Sequence, residues 1–231
     1  MKEASHIKSN RVINSHPALA VLGAVAFIAI VPLRADIVIE GEVKLPPVKA
    51  SAASASRYQQ KAGAVSAAES PVAIVYLEGT FPAKGSSSST PEQVSQENFQ
   101  FRPGTLAIQR GAKVEFPNLD DDYHHVFSYS KTKEFDIGRY RKGEKPPAIT
   151  FDKTGVVKVG CEIHDHMRAV ILVLDTPHFC KSDSAGKYRL AVKDVPPGKY
   201  TLKAWINEKT TWEQPVELKE GATLQSNFSA K

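Results

Sequence analysis

Residues 156–174 read VVKVGCEIHDHMRAVILVL. A β-branched run ends at Cys161, a polar stretch follows, and a second apolar run starts after Met167. Two short apolar runs divided by a polar break predict two strands joined by a tight loop. That loop carries a thiol at Cys161, an imidazole at His164 and a thioether at Met167, each three residues from the next. The five residues between Cys161 and Met167 suffice to fold all three side chains onto one point. Side chains fixed near strand ends hold their geometry better than those on long loops.

A fourth donor is available upstream. Residues 113–130 read KVEFPNLDDDYHHVFSYS. Adjacent side chains of a strand point to opposite faces, so His124 and His125 cannot both face one centre. Two imidazoles, one thiolate and a weak thioether form the donor set of a copper electron-transfer site. The soft sulfurs favour Cu(I) and the imidazoles suit Cu(II), so one fixed set serves both states. This reading implies one type 1 copper per chain. Three other readings compete with it. Cys161 and Cys180 could close a disulfide around 18 intervening residues. Alternatively, His124, Cys161, His164 and His166 could enclose zinc, or Met167 could be a plain core residue.

The chain has 231 residues and a formal net charge of +5. Lys2, Lys8 and Arg11 precede a 14-residue apolar run at 18–31 (ALAVLGAVAFIAIV) and then Pro32-Leu33-Arg34-Ala35. This is the pattern of an export signal peptide covering 1–35, with cleavage after Ala35. The run is short of the roughly 20 residues a membrane span needs, although an uncleaved anchor stays an alternative. Without the leader's four basic and one acidic side chains, 26 basic and 24 acidic remain. That balance excludes a nucleic-acid partner. A periplasmic protein with no stable membrane insertion after cleavage is expected.

The remainder reads as strands. Residues 37–45 alternate around a bulge expected at Gly41, and 71–77 form a buried strand. Residues 46–70 read as a polar connection with room for a short helix at 58–68, and 84–98 as a loop. Further strands are expected at 104–109, 113–117, 126–130, 148–151, 155–161 and 168–174, and then over 186–190, 195–205, 215–218 and 221–228. Many short strands at close spacing predict an all-β protein of two small modules. No phosphate-binding loop and no nucleophile–base set stands out, so a non-enzymatic role is expected.

At His124-His125-Val126-Phe127 and Cys161-x2-His164-x2-Met167 the chain resembles the cupredoxins, in the short-loop form of the plastocyanin/amicyanin-like, methylamine-utilisation-type proteins. The resemblance spans about residues 100–175. It implies a Greek-key sandwich binding copper through His124, Cys161, His164 and Met167. It also implies a one-electron carrier exchanging through the exposed edge of His164 with a dehydrogenase or cytochrome-type redox partner. His125 stands where the family has an Asn that ties the two ligand segments together. An imidazole N–H can take over that bond, and His125 or His166 could replace a ligand. Glu162, Asp165, His166 and Arg168 form a charged rim where the family's is apolar, which implies a small, salt-sensitive encounter. His166 is expected to point to solvent. Asp120-Asp121-Asp122 is expected to be a solvated turn that could steer a partner.

Residues 183–190 (DSAGKYRL) and 195–202 (VPPGKYTL) resemble carboxypeptidase-regulatory-like, transthyretin-type or Ig-like sandwiches. There Asp183, Gly186, Tyr188 and Tyr200 would be structural. The resemblance places a second sandwich over 36–99 and 176–231, split around a copper domain at 100–175. A copper-carrying or cell-envelope binding role is the alternative function.

Overall fold

The computed structural model describes residues 36–47, 69–79, 81 and 90–229. The expected leader and the possible helix at 58–68 lie outside them. Among the described residues every regular element is a strand, and the protein is all-β.

Strands follow one another along the described residues. They are β1 (Ile37–Glu42), β2 (Ile74–Glu78), β3 (Glu92–Gln93), β4 (Ser95–Glu97), β5 (Gln100–Arg102), β6 (Thr105–Gln109), β7 (Lys113–Glu115) and β8 (His124–Ser130). Next come β9 (Lys133–Tyr140), β10 (Ile149–Thr150), β11 (Gly155–Gly160) and β12 (Arg168–Leu174). The chain ends with β13 (Phe179–Lys181), β14 (Lys187–Val192), β15 (Gly198–Asn207), β16 (Thr210–Leu218) and β17 (Thr223–Gln225).

A five-stranded sheet runs β6-β12-β11-β8-β9, with β6 and β12 parallel and the other neighbours antiparallel. Facing it are the small sheet β10-β7-β3 and the β4–β5 hairpin. Between them lies a core that includes Phe101, Phe116, Phe151, Val126, Ile171 and Met167. Burying an aromatic or large aliphatic side chain there contributes about 1.5–3 kcal/mol. A second core, with Ile39, Leu77, Leu190, Leu202 and Leu218, sits between sheets β13-β2-β15-β16 and β14-β1-β17. Ile74 and Trp205 pack against Leu172 and Leu174, joining β2 and β15 to the outward face of β12. After Arg168 the β12 run is apolar because both its faces are covered.

Gly41 is not a bulge. It stays in register opposite Tyr188, and a Cβ there would overlap the Ser226 carbonyl. The expected loop at 84–98 contains β3 and β4, and β9 and β13 join the strands foreseen.

Candidate metal centre

β8 turns His124, Val126 and Ser128 into the core, each wholly buried, and His125 to the other face. Strand β11 ends at Gly160, which places Cys161 at the rim of the same core. The loop then closes on itself: Met167 N–H donates to the His164 carbonyl at 2.9 Å, and Cys161 N–H to the Met167 carbonyl at 3.4 Å. Met167 is fully buried in the core.

Three donor atoms converge. The Nδ1 atoms of His124 and His164 lie 3.1 Å apart, and Cys161 Sγ lies 3.7 Å from His164 Nδ1. One ligand atom from each of the three residues lies within 4.8 Å of the others, and all three side chains are buried. The His125 backbone N–H also points at Cys161 Sγ, at 3.4 Å. Burial alone would push the Cys161 thiol up. The His124 and His164 imidazoles and the His125 and His164 backbone N–H groups outweigh it and bring the thiol down to about 5. Burial likewise opposes the charged form of His124, but Cys161 and Asp120 hold its pKa above the ordinary value. These surroundings favour the thiolate, the form that metal ligation requires.

Asp120 is not solvated like its neighbours. Its carboxylate accepts from His124 Nε2 at 2.8 Å, from Asn98 N–H at 2.7 Å and from Phe99 N–H at 3.0 Å. Buried Asn118 shapes this turn, accepting from Asp120 N–H and donating to the Asp122 and Tyr140 carbonyls. Asp121 and Asp122 remain exposed. The bond at His124 Nε2 leaves Nδ1 to face Cys161 and His164, where it could ligate a metal once its proton is lost. A carboxylate four residues before the histidine was the available sequence signal.

Phe99 was also missed. Asn98 and Phe99 both have positive φ, 52° and 57°, the two-residue turn of a tight hairpin. The turn swings the Phe99 ring edge-on against His124 and His164, at centroid distances of 5.6 and 5.1 Å. His164 is consequently only 5% exposed, contrary to the exposed edge expected. His166 does not point to solvent either. It is half-buried, with Nε2 3.0 Å from the Phe99 carbonyl oxygen, and it stands outside the converging donors. Burial lowers its pKa.

The His125 ring hydrogen-bonds to β9 and not to the ligand loop. Its Nε2 lies 2.5 Å from Asp136 of β9 and its Nδ1 3.1 Å from Glu162 of the ligand loop. Glu162 in turn meets Arg139 at 3.0 Å, which lowers its pKa. The disulfide reading is overturned. Cys161 and Cys180 are both free, and Cys180 packs against the other core, where burial pushes its thiol up to about 11.

No family model matches this chain, and no curated protein does. Solved structures do resemble it. A copper-containing nitrite reductase from Thermus scotoductus is 27% identical over 38% of this chain, with a TM-score of 0.35. The matched part spans only 23% of that reductase chain. A purple cupredoxin from Nitrosopumilus maritimus is 21% identical, covering 36% of this chain and 98% of its own, with a TM-score of 0.32. Amicyanin from Paracoccus versutus is 21% identical, covering 43% of this chain and 96% of its own, with a TM-score of 0.33.

Proposed function

We propose that the protein is an exported, periplasmic electron carrier holding one type 1 copper through His124, Cys161, His164 and Met167. The convergence of His124 Nδ1, Cys161 Sγ and His164 Nδ1 in a buried pocket carries this reading. The donor chemistry fits copper: a ready thiolate, two neutral-capable imidazoles and a buried thioether on the same loop. When bound, copper supplies a one-electron couple. The chain's own residues do the rest. Asp120 fixes the His124 tautomer, the His125 N–H stabilises the thiolate, and Phe99 excludes water. A rigid, dry site of this kind limits rearrangement between redox states. Electron exchange with a dehydrogenase or cytochrome-type protein, without catalysis of its own, follows from the same reading. We assign residues 100–175 to the copper domain, and 36–99 with 176–231 to the second sandwich around it.

A second reading, copper carriage, is favoured by the burial of His164 under Phe99. Titration with Cu(II), followed by visible absorption and EPR, separates the two. An intense thiolate-to-copper band, absent in Cys161→Ser and bleached reversibly by a reductant, is expected for the carrier of electrons. Retained Cu(I) with slow reoxidation would favour carriage. A protein that retains neither Cu(II) nor Cu(I) would refute both.

A further inference from the structure

We propose that electrons pass along the outer face of β8, and that the groove where this face ends docks an acidic one-electron redox protein. The route rests on the copper reading above. Phe99 covers His164, so the ligand loop offers little exposed edge to a partner. The other side of the site does reach the surface. His125, whose backbone N–H touches Cys161 Sγ, has its ring 5.4 Å from Phe127, and Phe127 lies 4.9 Å from Tyr129. These centroid distances are those of rings in contact. Alternation along β8 stacks the three rings on one face. Gly160, the residue before Cys161, is paired with Phe127, and a Cβ there would come within 3.2 Å of the Phe127 ring. The missing side chain lets the ring lie against the backbone that leads to the thiolate.

Tyr129 ends the series 72% exposed, a large aromatic with no covering element among the described residues. It opens into a groove of about 660 Å³ lined by Phe127, Tyr129, Lys131, Lys158, Arg168 and Glu208 among others. Lys158 is paired with Glu208 at 2.6 Å. Lys131 and Arg168 have no carboxylate partner among the described residues, so the groove carries excess positive charge. Glu134 and Asp136 lie on β9 beside it, and Asp136 is engaged by His125. Exposed aromatic and arginine side chains in one patch are the composition of a docking centre. The charge selects a partner whose face presents carboxylates, and it speeds encounter in a salt-sensitive way. In the exchange one electron moves between the metal and the partner's cofactor, reducing one as the other is oxidised. No bond or proton changes place, and the rings mediate tunnelling without being oxidised.

Two probes test this on the full chain. Hexacyanochromate(III), a redox-inert paramagnetic trianion, is added to metal-free protein and amide signals are followed by NMR. Broadening is expected around Tyr129–Thr132, Lys158 and Arg168, and its loss in Lys131→Glu/Arg168→Glu. Broadening confined to residues 161–167, or none, would overturn the docking face. The copper-loaded reduced protein is then oxidised by hexacyanoferrate(III). Tyr129→Leu and the double charge reversal should each slow oxidation about tenfold or more, with the absorption band intact and Tyr129→Phe near normal. Unchanged rates with an intact band would overturn the route. A band missing from the unaltered protein would overturn the copper reading and the route with it, while the broadening pattern decides the docking face independently.

Discussion

Asp120 accepts a hydrogen bond from His124 Nε2 at 2.8 Å while the same carboxylate holds the N–H groups of Asn98 and Phe99. One side chain thus orients a proposed ligand and builds the turn that seals the site. Replacing Asp120 by Asn removes the charge and weakens the set of acceptors. Copper affinity should fall about 10- to 100-fold, the usual cost of losing a partner behind a metal-bound histidine. The reduction potential should rise, because the lost negative charge favoured the more positive oxidised state. Chelator competition and redox titration measure the two effects. An unchanged potential would mean that Asp120 serves only the turn.

Phe99 makes edge contacts to both imidazoles from a turn with positive φ. In Phe99→Ala the ring's burial is lost and water reaches His164. Unfolding free energy in urea should drop by about 3 kcal/mol, at the low end for truncating a buried Phe. Removal of copper by a competing chelator should become faster. If the removal rate stays the same, the ring is core packing rather than a seal.

How legible all this was depended on where the apolar atoms sit. β11 and β12 declare themselves because both are dense in Val, Ile and Leu. β9 reads KEFDIGRY, and only Phe135, Ile137 and the terminal Tyr140 pack inward while Glu134, Asp136 and Arg139 face water. That edge strand has too little apolar surface to stand out from a loop. The β3–β5 segment is similar, since polar residues surround Val94, Phe99 and Phe101. The donors at Cys161 and His164 were readable because their spacing is local, and strand parity confined the choice at 124 and 125 to one face. Asp120 and Phe99 reach His124 through a turn and a distant hairpin, contacts that no single-segment pattern encodes.

Gly186 shows how the second core depends on a close backbone approach. Its φ is +88°, and a Cβ there would overlap the Val43 carbonyl. Asp183 builds the turn, its carboxylate accepting from Ala185 N–H at 2.9 Å and Lys187 N–H at 2.8 Å. Gly186→Ala should destabilise the protein by about 1–3 kcal/mol, seen as a lower urea midpoint. The copper band at low urea should be unaffected, because the donors belong to the other core. Loss of the band without urea would show that the two cores form one cooperative unit.

The metal-free site makes a signed prediction for stability against pH. Burial opposes the charged form of Cys161, yet the imidazoles and N–H groups around it bring the folded thiol to about 5. A depressed pKa contributes stability above the unfolded value that is lost as pH falls through the folded one. His124 is shifted the other way, so its contribution is present below its unfolded value, about 6.5, and is lost as pH rises through its raised folded value. Between about 5 and about 6.5 the folded pair holds one proton where the unfolded pair holds two, so stability rises with pH. Just above that range both forms hold one proton, and the curve levels off until the pH reaches the raised folded value of His124. Exposed Asp136, Asp152 and Glu162, whose pKa values are also lowered, add to the acid limb in every variant. Urea midpoints of the metal-free protein, compared with Cys161→Ser across this range, isolate the thiol. The rise between about 5 and about 6.5 should shrink in Cys161→Ser, and an identical acid limb in both proteins would show that no thiolate forms in the pocket.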